Sequence, residues 1–160
     1  MRIGILSDTH DHAKRTARAV ARLIAEGAEV LVHCGDITGA SVVQECAGLT
    51  CHYVFGNNDF DEPSLRRAIT QTGGVSLEEV AILDLGGRRV AVTHGHLGKV
   101  VRRLTDAEPD YLLFGHSHVP EDRRMGPTRW INPGALHRAE AWTVAILDTE
   151  TDRLDSFVVE

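Results

Sequence analysis

The sequence predicts an α/β fold in which two packed β-sheets are covered by helices, and three observations predict it. The first half alternates strands and helices at crossover spacing, the second half is mostly short strands, and the apolar runs are continuous rather than strictly alternating. Continuous apolar runs suit strands buried on both faces, which needs helices outside the sheets.

The chain opens with a strand, "MRIGIL", which runs into "SDTHDH" (Ser7 to His12). Ala13, Ala17, Val20, Ala21 and Ile24 then recur at the spacing of one helical face, and Gly27 is placed to end that helix. "EVLVH" (Glu29 to His33) reads as a second strand, "ASVVQECAG" as a short helix and "CHYVFG" (Cys51 to Gly56) as a third strand. This order at this spacing implies a parallel sheet with crossover helices. "VAILDL" and "RRVAVTH" flank Gly86 and Gly87, a two-residue link that predicts a hairpin. After a helical stretch near Leu97 to Leu104 come "DYLLFGH", "RRM", "TRWINPG", "WTVAILD" and "RLDSFVVE", read as strands that continue the parallel half into antiparallel sheet. With no repeat, low-complexity tract or linker, a single domain is expected over residues 1–160.

Composition narrows the function. Seventeen basic against 23 acidic residues leave a net charge of −6, which disfavours non-specific attraction to nucleic acid or anionic lipid. No basic stripe with interleaved aromatics marks a nucleic-acid track. There is no apolar run of about 18 residues, and Met1 leads straight into a strand, so a cytoplasmic protein without a membrane partner is expected. Three cysteines without paired spacing argue for reduced thiols. Nine histidines are the unusual feature, because imidazole is the commonest metal ligand.

Several of those histidines stand where strands end. Strand one ends at Asp8 and His10, strand two at Asp36, strand three at Asn57, Asn58 and Asp59, the hairpin at His94 and His96, and the next strand at His116 and His118. Ligands of open α/β sheets collect outside the carboxyl ends of the strands, so these scattered residues can converge. The i, i+2 spacing of Asp8 with His10, and of His116 with His118, would aim both members of each pair to one side if the backbone is extended. Carboxylates, imidazoles and an amide oxygen without thiolate form a ligand set for Mn, Fe, Zn or Ni rather than for Ca alone. Seven candidates exceed one four-coordinate site, whereas two cations sharing a carboxylate would use them all.

Asp-x-His, Gly-Asp, Gly-Asn, a lone His and Gly-His-x-His, in that order, resemble the motifs of the calcineurin-like metallophosphoesterases, most closely their small bacterial and archaeal phosphodiesterases, including the late "NPGAL" (Asn132 to Leu136). The resemblance implies a four-layer αββα sandwich of two mixed β-sheets flanked by helices. It implies one cation held by Asp8, His10, Asp36 and His118 and another by Asp36, Asn57, His94 and His116, with Asp36 bridging. It makes manganese the first choice, with Fe, Ni, Co and Zn also compatible. The implied activity is hydrolysis of small phosphodiesters by a hydroxide bridging the two cations. The alternatives are a phosphomonoesterase or nuclease using the same site, or a non-catalytic interaction scaffold of the retromer-subunit type; a homodimer is left open.

Many members have a histidine directly after the metal-binding Asn, where it assists the phosphoryl group or leaving oxygen; here the position is Asn58. His96, Asp59 and His12 are the candidates to replace it. The remaining histidines are given quieter roles: His33 as a hydrogen-bonded residue behind the site, His52 and His137 as structural or surface residues. Lys99, Arg102 and Arg103 are expected on a solvated helix face, and Cys34 as a small buried residue.

Overall fold

The computed structural model describes residues 1–160. Its first half runs β1 (Arg2–Leu6), α1 (Ala13–Ala25), β2 (Val30–His33), α2 (Ala40–Glu45), β3 (Cys51–Tyr53), α3 (Glu62–Gln71) and β4 (Val75–Ser76). The second half runs β5 (Val80–Leu85), β6 (Arg88–Thr93), α4 (Gly98–Asp106), β7 (Tyr111–Leu113), β8 (Glu121–Met125), β9 (Thr128–Asn132), β10 (Thr143–Asp148) and β11 (Arg153–Val158).

The strands form a six-stranded sheet in the order β11-β10-β1-β2-β3-β4 and a five-stranded sheet in the order β5-β6-β7-β9-β8. Successive side chains point to opposite faces, and in the central strands both faces are apolar. Ile3, Ile5, Val30, Val32 and Leu147 of the first sheet meet Val90, Val92, Leu113 and Ile131 of the second in the core between the sheets. Leu6, Leu31, Val144 and Ile146 point the other way, against Ala19, Val20 and Leu23 of α1, Val42 and Val43 of α2, and Leu65, Ala68 and Ile69 of α3. Ala91, Leu112 and Trp130 form the outer face of the second sheet, covered by Leu104 of α4. The layers are therefore helix, sheet, sheet, helix, as the motif resemblance implies.

Two expectations need correction. The second half is not antiparallel throughout: β6, β7 and β9 run parallel, and only their hairpin partners β5 and β8 are antiparallel to them. β10 and β11 leave that half altogether, with β10 pairing antiparallel to β1 so that Ile3 lies opposite Leu147. The sequence reading also misses α3 and β4. α3 is signalled by Asp61, whose side chain caps the helix by accepting from the Ser64 N–H at 3.2 Å, and by a proline in its first turn. The hairpin at Gly86 and Gly87 forms as expected, both residues having the positive φ (62° and 71°) that a tight two-residue turn requires. No helix is long and apolar enough to cross a membrane. All three cysteines are buried and unpaired.

Burial sets the mutational response of the second sheet. Ile131 is 0% exposed between the sheets, whereas Ile82 on the β5 edge is 40% exposed. Ile131→Ala is expected to lower unfolding free energy by about 2–5 kcal/mol and Ile82→Ala by less than about 1 kcal/mol, measured by urea denaturation.

Candidate metal centre

The carboxyl ends of β1, β2, β6 and β7 come together at one end of the interface between the sheets. The loops after β1 and β2 continue to pair beyond their strands, Asp8 N–H donating to Gly35 O at 3.0 Å and His10 N–H to Asp36 O at 3.1 Å. The loops after β6 and β7 do the same through Gly115 N–H and His94 O at 3.0 Å. Across the gap between sheets, His118 Nε2 lies 3.1 Å from Asp8 Oδ1, and His94 Nε2 lies 3.5 Å from Asp36 Oδ1 and 4.0 Å from Asp8 Oδ1. His10 Nε2 lies 3.3 Å from Asp36 Oδ2.

The side chains meet because the backbone turns sharply where each strand stops. Among eleven non-glycine residues with positive φ are Asp8 (53°), His10 (42°), Asp36 (55°), His116 (66°) and His118 (59°). Left-handed conformations are strained for such residues and cluster at functional sites. This corrects the extended backbone expected for the i, i+2 pairs. Asp8 and His10 do join one group, but His116 and His118 diverge: His118 faces Asp8, while the His116 ring stands edge-on to His94 with centroids 5.1 Å apart. Glycines permit the close approach, since a Cβ on Gly56 would overlap Asp36 Oδ1 and one on Gly115 would overlap Ser7 Oγ and Asp8 Oδ2.

Two groups of side chains can hold a cation: Asp8, His10 and His118, and Asp8, Asp36 and His94. Their chemistry fits one. Asp8 Oδ1, His10 Nε2 and His94 Nε2 are buried atoms without a hydrogen-bond partner, although they face one another. Ligand atoms about 2.0–2.2 Å from a shared cation stand about 3–4 Å apart, which is the spacing observed. The tautomers agree. His94 Nδ1 lies 2.8 Å from Cys34 O and His118 Nδ1 3.4 Å from Arg138 O; a carbonyl only accepts, so each Nδ1 carries the proton and each Nε2 offers a lone pair to the site.

The carboxylates are braced from behind. Asp8 Oδ2 accepts from Ser7 Oγ at 2.6 Å and His116 N–H at 3.1 Å. Asp36 accepts from the Asn58 backbone N–H at 2.9 Å and its side-chain amide at 2.7 Å. Burial opposes the Asp36 charge, but His10, His94 and Asn58 outweigh it and hold the carboxyl well below its usual range. Burial likewise opposes charging His94, yet the Asp36 and Asp8 carboxylates raise its pKa.

Other expected residues are placed as follows. Asn57 is exposed on the turn after β3, while Asn58 contacts Asp36. Asp59 is 4% exposed, and its oxygens accept from the N–H groups of Asp36 (2.9 Å), Thr38 (2.7 Å) and Gly56 (2.7 Å). It ties the loop after β2 to its own loop after β3, behind Asp36, so the proton-donor role expected of it does not fit. His96 sits beside His94 and His116, with centroids 5.4 and 6.1 Å away. His12 stands at the N-terminal cap position of α1 without a capping side-chain hydrogen bond, and its Nε2 instead shares a 2.9 Å hydrogen bond with His137 Nδ1. His33 is buried behind the site as expected, accepting from Gly35 N–H at Nδ1 (3.2 Å) and thus donating through Nε2 to Thr9 Oγ1 (3.0 Å).

Two residues were given too little. His137, expected at the surface or in a structural role, stacks against His10 at 4.4 Å, and its pKa is pushed down to about 4 by burial and then by His10 and His12. Its signal is its place directly after "NPGAL". Asn132, in that same motif, clamps the β7 loop by donating to Gly115 O (2.9 Å) and Ser117 Oγ (3.0 Å) while its oxygen accepts from Gly134 N–H (2.9 Å).

The chain is 28% identical to the phosphodiesterase MJ0936 of Methanocaldococcus jannaschii over 100% of both chains. It superposes on a solved archaeal phosphodiesterase with a TM-score of 0.92 at 27% identity, covering 99% of this chain and 100% of the other. A Vps29 of Entamoeba histolytica shares the fold, with a TM-score of 0.71 at 16% identity over 100% of both chains. The sequence profile of the calcineurin-like phosphoesterase superfamily domain matches residues 1–152, and the chain belongs to that superfamily.

Proposed function

We propose that this chain is a metal-dependent phosphodiesterase acting on small phosphodiesters, with cations held by Asp8, His10, Asp36 and His118 on one side and by Asp36, His94 and His116 on the other. One observation carries the proposal: buried lone-pair atoms of Asp8, His10 and His94 converge with no hydrogen-bond partner. Divalent cations bound there would supply a water acidified toward neutrality and positive charge for the phosphoryl oxygens. Manganese is the first choice on the motif resemblance, and the oxygen and nitrogen donors accept it. Asn57 joins the second group only if the turn at the end of β3 rotates its exposed side chain inward.

The chain's own residues do the positioning. Asn58 fixes the Asp36 carboxylate between His10 and His94, Ser7 fixes Asp8, and Asp59 locks the loops that carry Asp36 and Asn58. His96 borders the second group, where it can present an N–H to the leaving oxygen. Burial, then His94 and His116, lower its pKa, so it acts as a neutral imidazole near pH 7. A net charge of −6 favours small diesters over polyanionic nucleic acid. The second reading is the interaction scaffold of the retromer-subunit type that the motif resemblance leaves open; the likeness to Vps29 shows a shared fold.

Saturating manganese is expected to raise Tm by about 5–10 °C in differential scanning fluorimetry. Asp8→Asn should abolish that rise while raising the metal-free Tm, because its amide N–H would donate to the free Nε2 of His118, which lies 3.1 Å from Asp8 Oδ1. The manganese-loaded chain should hydrolyse bis(p-nitrophenyl) phosphate, and His94→Ala should lower kcat/KM by at least about 10²-fold. A pure, manganese-loaded sample without hydrolysis, in which His94→Ala alters only partner binding, would establish the scaffold. His96→Ala should slow a dialkyl diester by about 10²-fold but a p-nitrophenyl diester by less than about tenfold, because only the poor leaving group depends on an N–H hydrogen bond to its developing charge. Equal losses would remove His96 from that role.

A further inference from the structure

Against the candidate metal centre lies a cleft of about 430 Å³ walled by His118, Val119, Pro120, Glu140 and Ala141. Its two sides come from distant stretches, the loop after β7 and the loop between β9 and β10. They are pinned together, since Pro120 lies so close to Gly134 that an added Cβ there would stand 3.0 Å from Pro120 Cγ. His118 forms one wall and also presents Nε2 to Asp8, so the cleft is continuous with the site.

The walls have a definite chemistry. Val119, Pro120 and Ala141 are apolar and exposed, Val119 to 61%. Glu140 brings a carboxylate that forms no ion pair or hydrogen bond within the chain. Apolar exposure extends along the same strand ends: Phe60, Leu97 and Val119 directly follow Asp59, His96 and His118. A phosphodiester centred on the site has two alcohol arms, and only one of them leaves. An arm in this cleft meets alkyl surface and one negative charge, and no lysine or arginine.

We propose, resting on the phosphodiesterase reading, that this cleft receives the retained alcohol arm of the substrate and selects an amino-alcohol arm, one that joins alkyl surface to a cationic head. The alkyl groups pack on Val119, Pro120 and Ala141, and the cation faces Glu140. An arm ending in carboxylate or phosphate is repelled by Glu140, with nothing in the walls to offset it. The attraction acts between exposed charges, so it weakens as salt is added.

The test uses three p-nitrophenyl phosphodiesters with the same leaving group and different retained arms: choline, phenyl, and an alkyl chain ending in carboxylate. With the manganese-loaded full chain at low salt, kcat/KM for the choline arm should exceed that for the carboxylate arm by about tenfold. Glu140→Lys should invert that order, and Val119→Asp should depress the phenyl arm relative to the choline arm. Equal kcat/KM for all three arms, or a choline-to-carboxylate ratio unchanged by Glu140→Lys, would overturn the proposal while leaving the phosphodiesterase reading intact. If none of the diesters is hydrolysed, that reading fails, and calorimetry still decides the cleft. Phosphocholine binding more tightly than phosphoglycolate to the manganese-loaded chain, with the difference lost in Glu140→Lys, supports it; equal binding overturns it.

Discussion

Two carboxylates with almost no access to water face the same small space, and everything around them answers to that fact. Asp8 is 0% exposed and Asp36 is 2% exposed. Burying an ionised carboxylate is expensive unless it is hydrogen-bonded and paired, and a second like charge makes it more so. The chain meets part of this demand itself. Ser7, the His116 N–H and both donors of Asn58 occupy the rear of the carboxylates, and His10, His94 and His118 stand at the front. Yet His10 Nε2, His94 Nε2 and Asp8 Oδ1 face the same space without a hydrogen-bond partner. Lone pairs directed at lone pairs stabilise nothing in the absence of an electrophile, so a divalent cation is the simplest species that turns this arrangement from a liability into a bond network.

The site also explains why two sheets are needed. Asp8, His10 and Asp36 ride on β1 and β2 of the first sheet, and His94, His116 and His118 on β6 and β7 of the second. Neither sheet alone carries a complete ligand group. The apolar layer of Ile5, Val32, Val92 and Leu113 that joins the sheets is thus what sets the distance from His118 to Asp8 and from His94 to Asp36. A repacked inter-sheet core would move one half of the site against the other, which links a hydrophobic contact far from solvent to the geometry of the chemistry.

Much of this was legible in the sequence, and what was not has physical causes. Strand ends could be read because apolar runs stop at polar residues, and the convergence of those ends follows from parallel β-strand topology. The direction of individual side chains could not be read, because it depends on left-handed turns at Asp8, Asp36, His116 and His118 that carry no local signal in Asp or His. The same limit hid the exposed placement of Asn57 and the contact of Asn58 with Asp36. Asp59 looked like chemistry because it stands with Asn57 and Asn58 at the end of the third strand; only the three amides that it accepts from reveal a structural brace. α3 was passed over although Asp61 and the proline after it announce its start, and β4 is only two residues long, below what periodicity can detect.

An acidic protein that binds an anionic ester must create its attraction locally. Two divalent cations would bring four positive charges against the two carboxylates of Asp8 and Asp36, leaving the proposed site positive within a chain of net charge −6. The phosphoryl group would then be drawn by the cations, and the chain's own charges would be free to discriminate between the groups attached to it. Beside His118 the chain sets apolar surface and the carboxylate of Glu140, where a lysine or arginine would have added to phosphate affinity. On the proposed reading, affinity for the phosphate and selection of its alcohol would thus fall to different parts of the site, the first to cations and the second to a cleft that those cations would not fill.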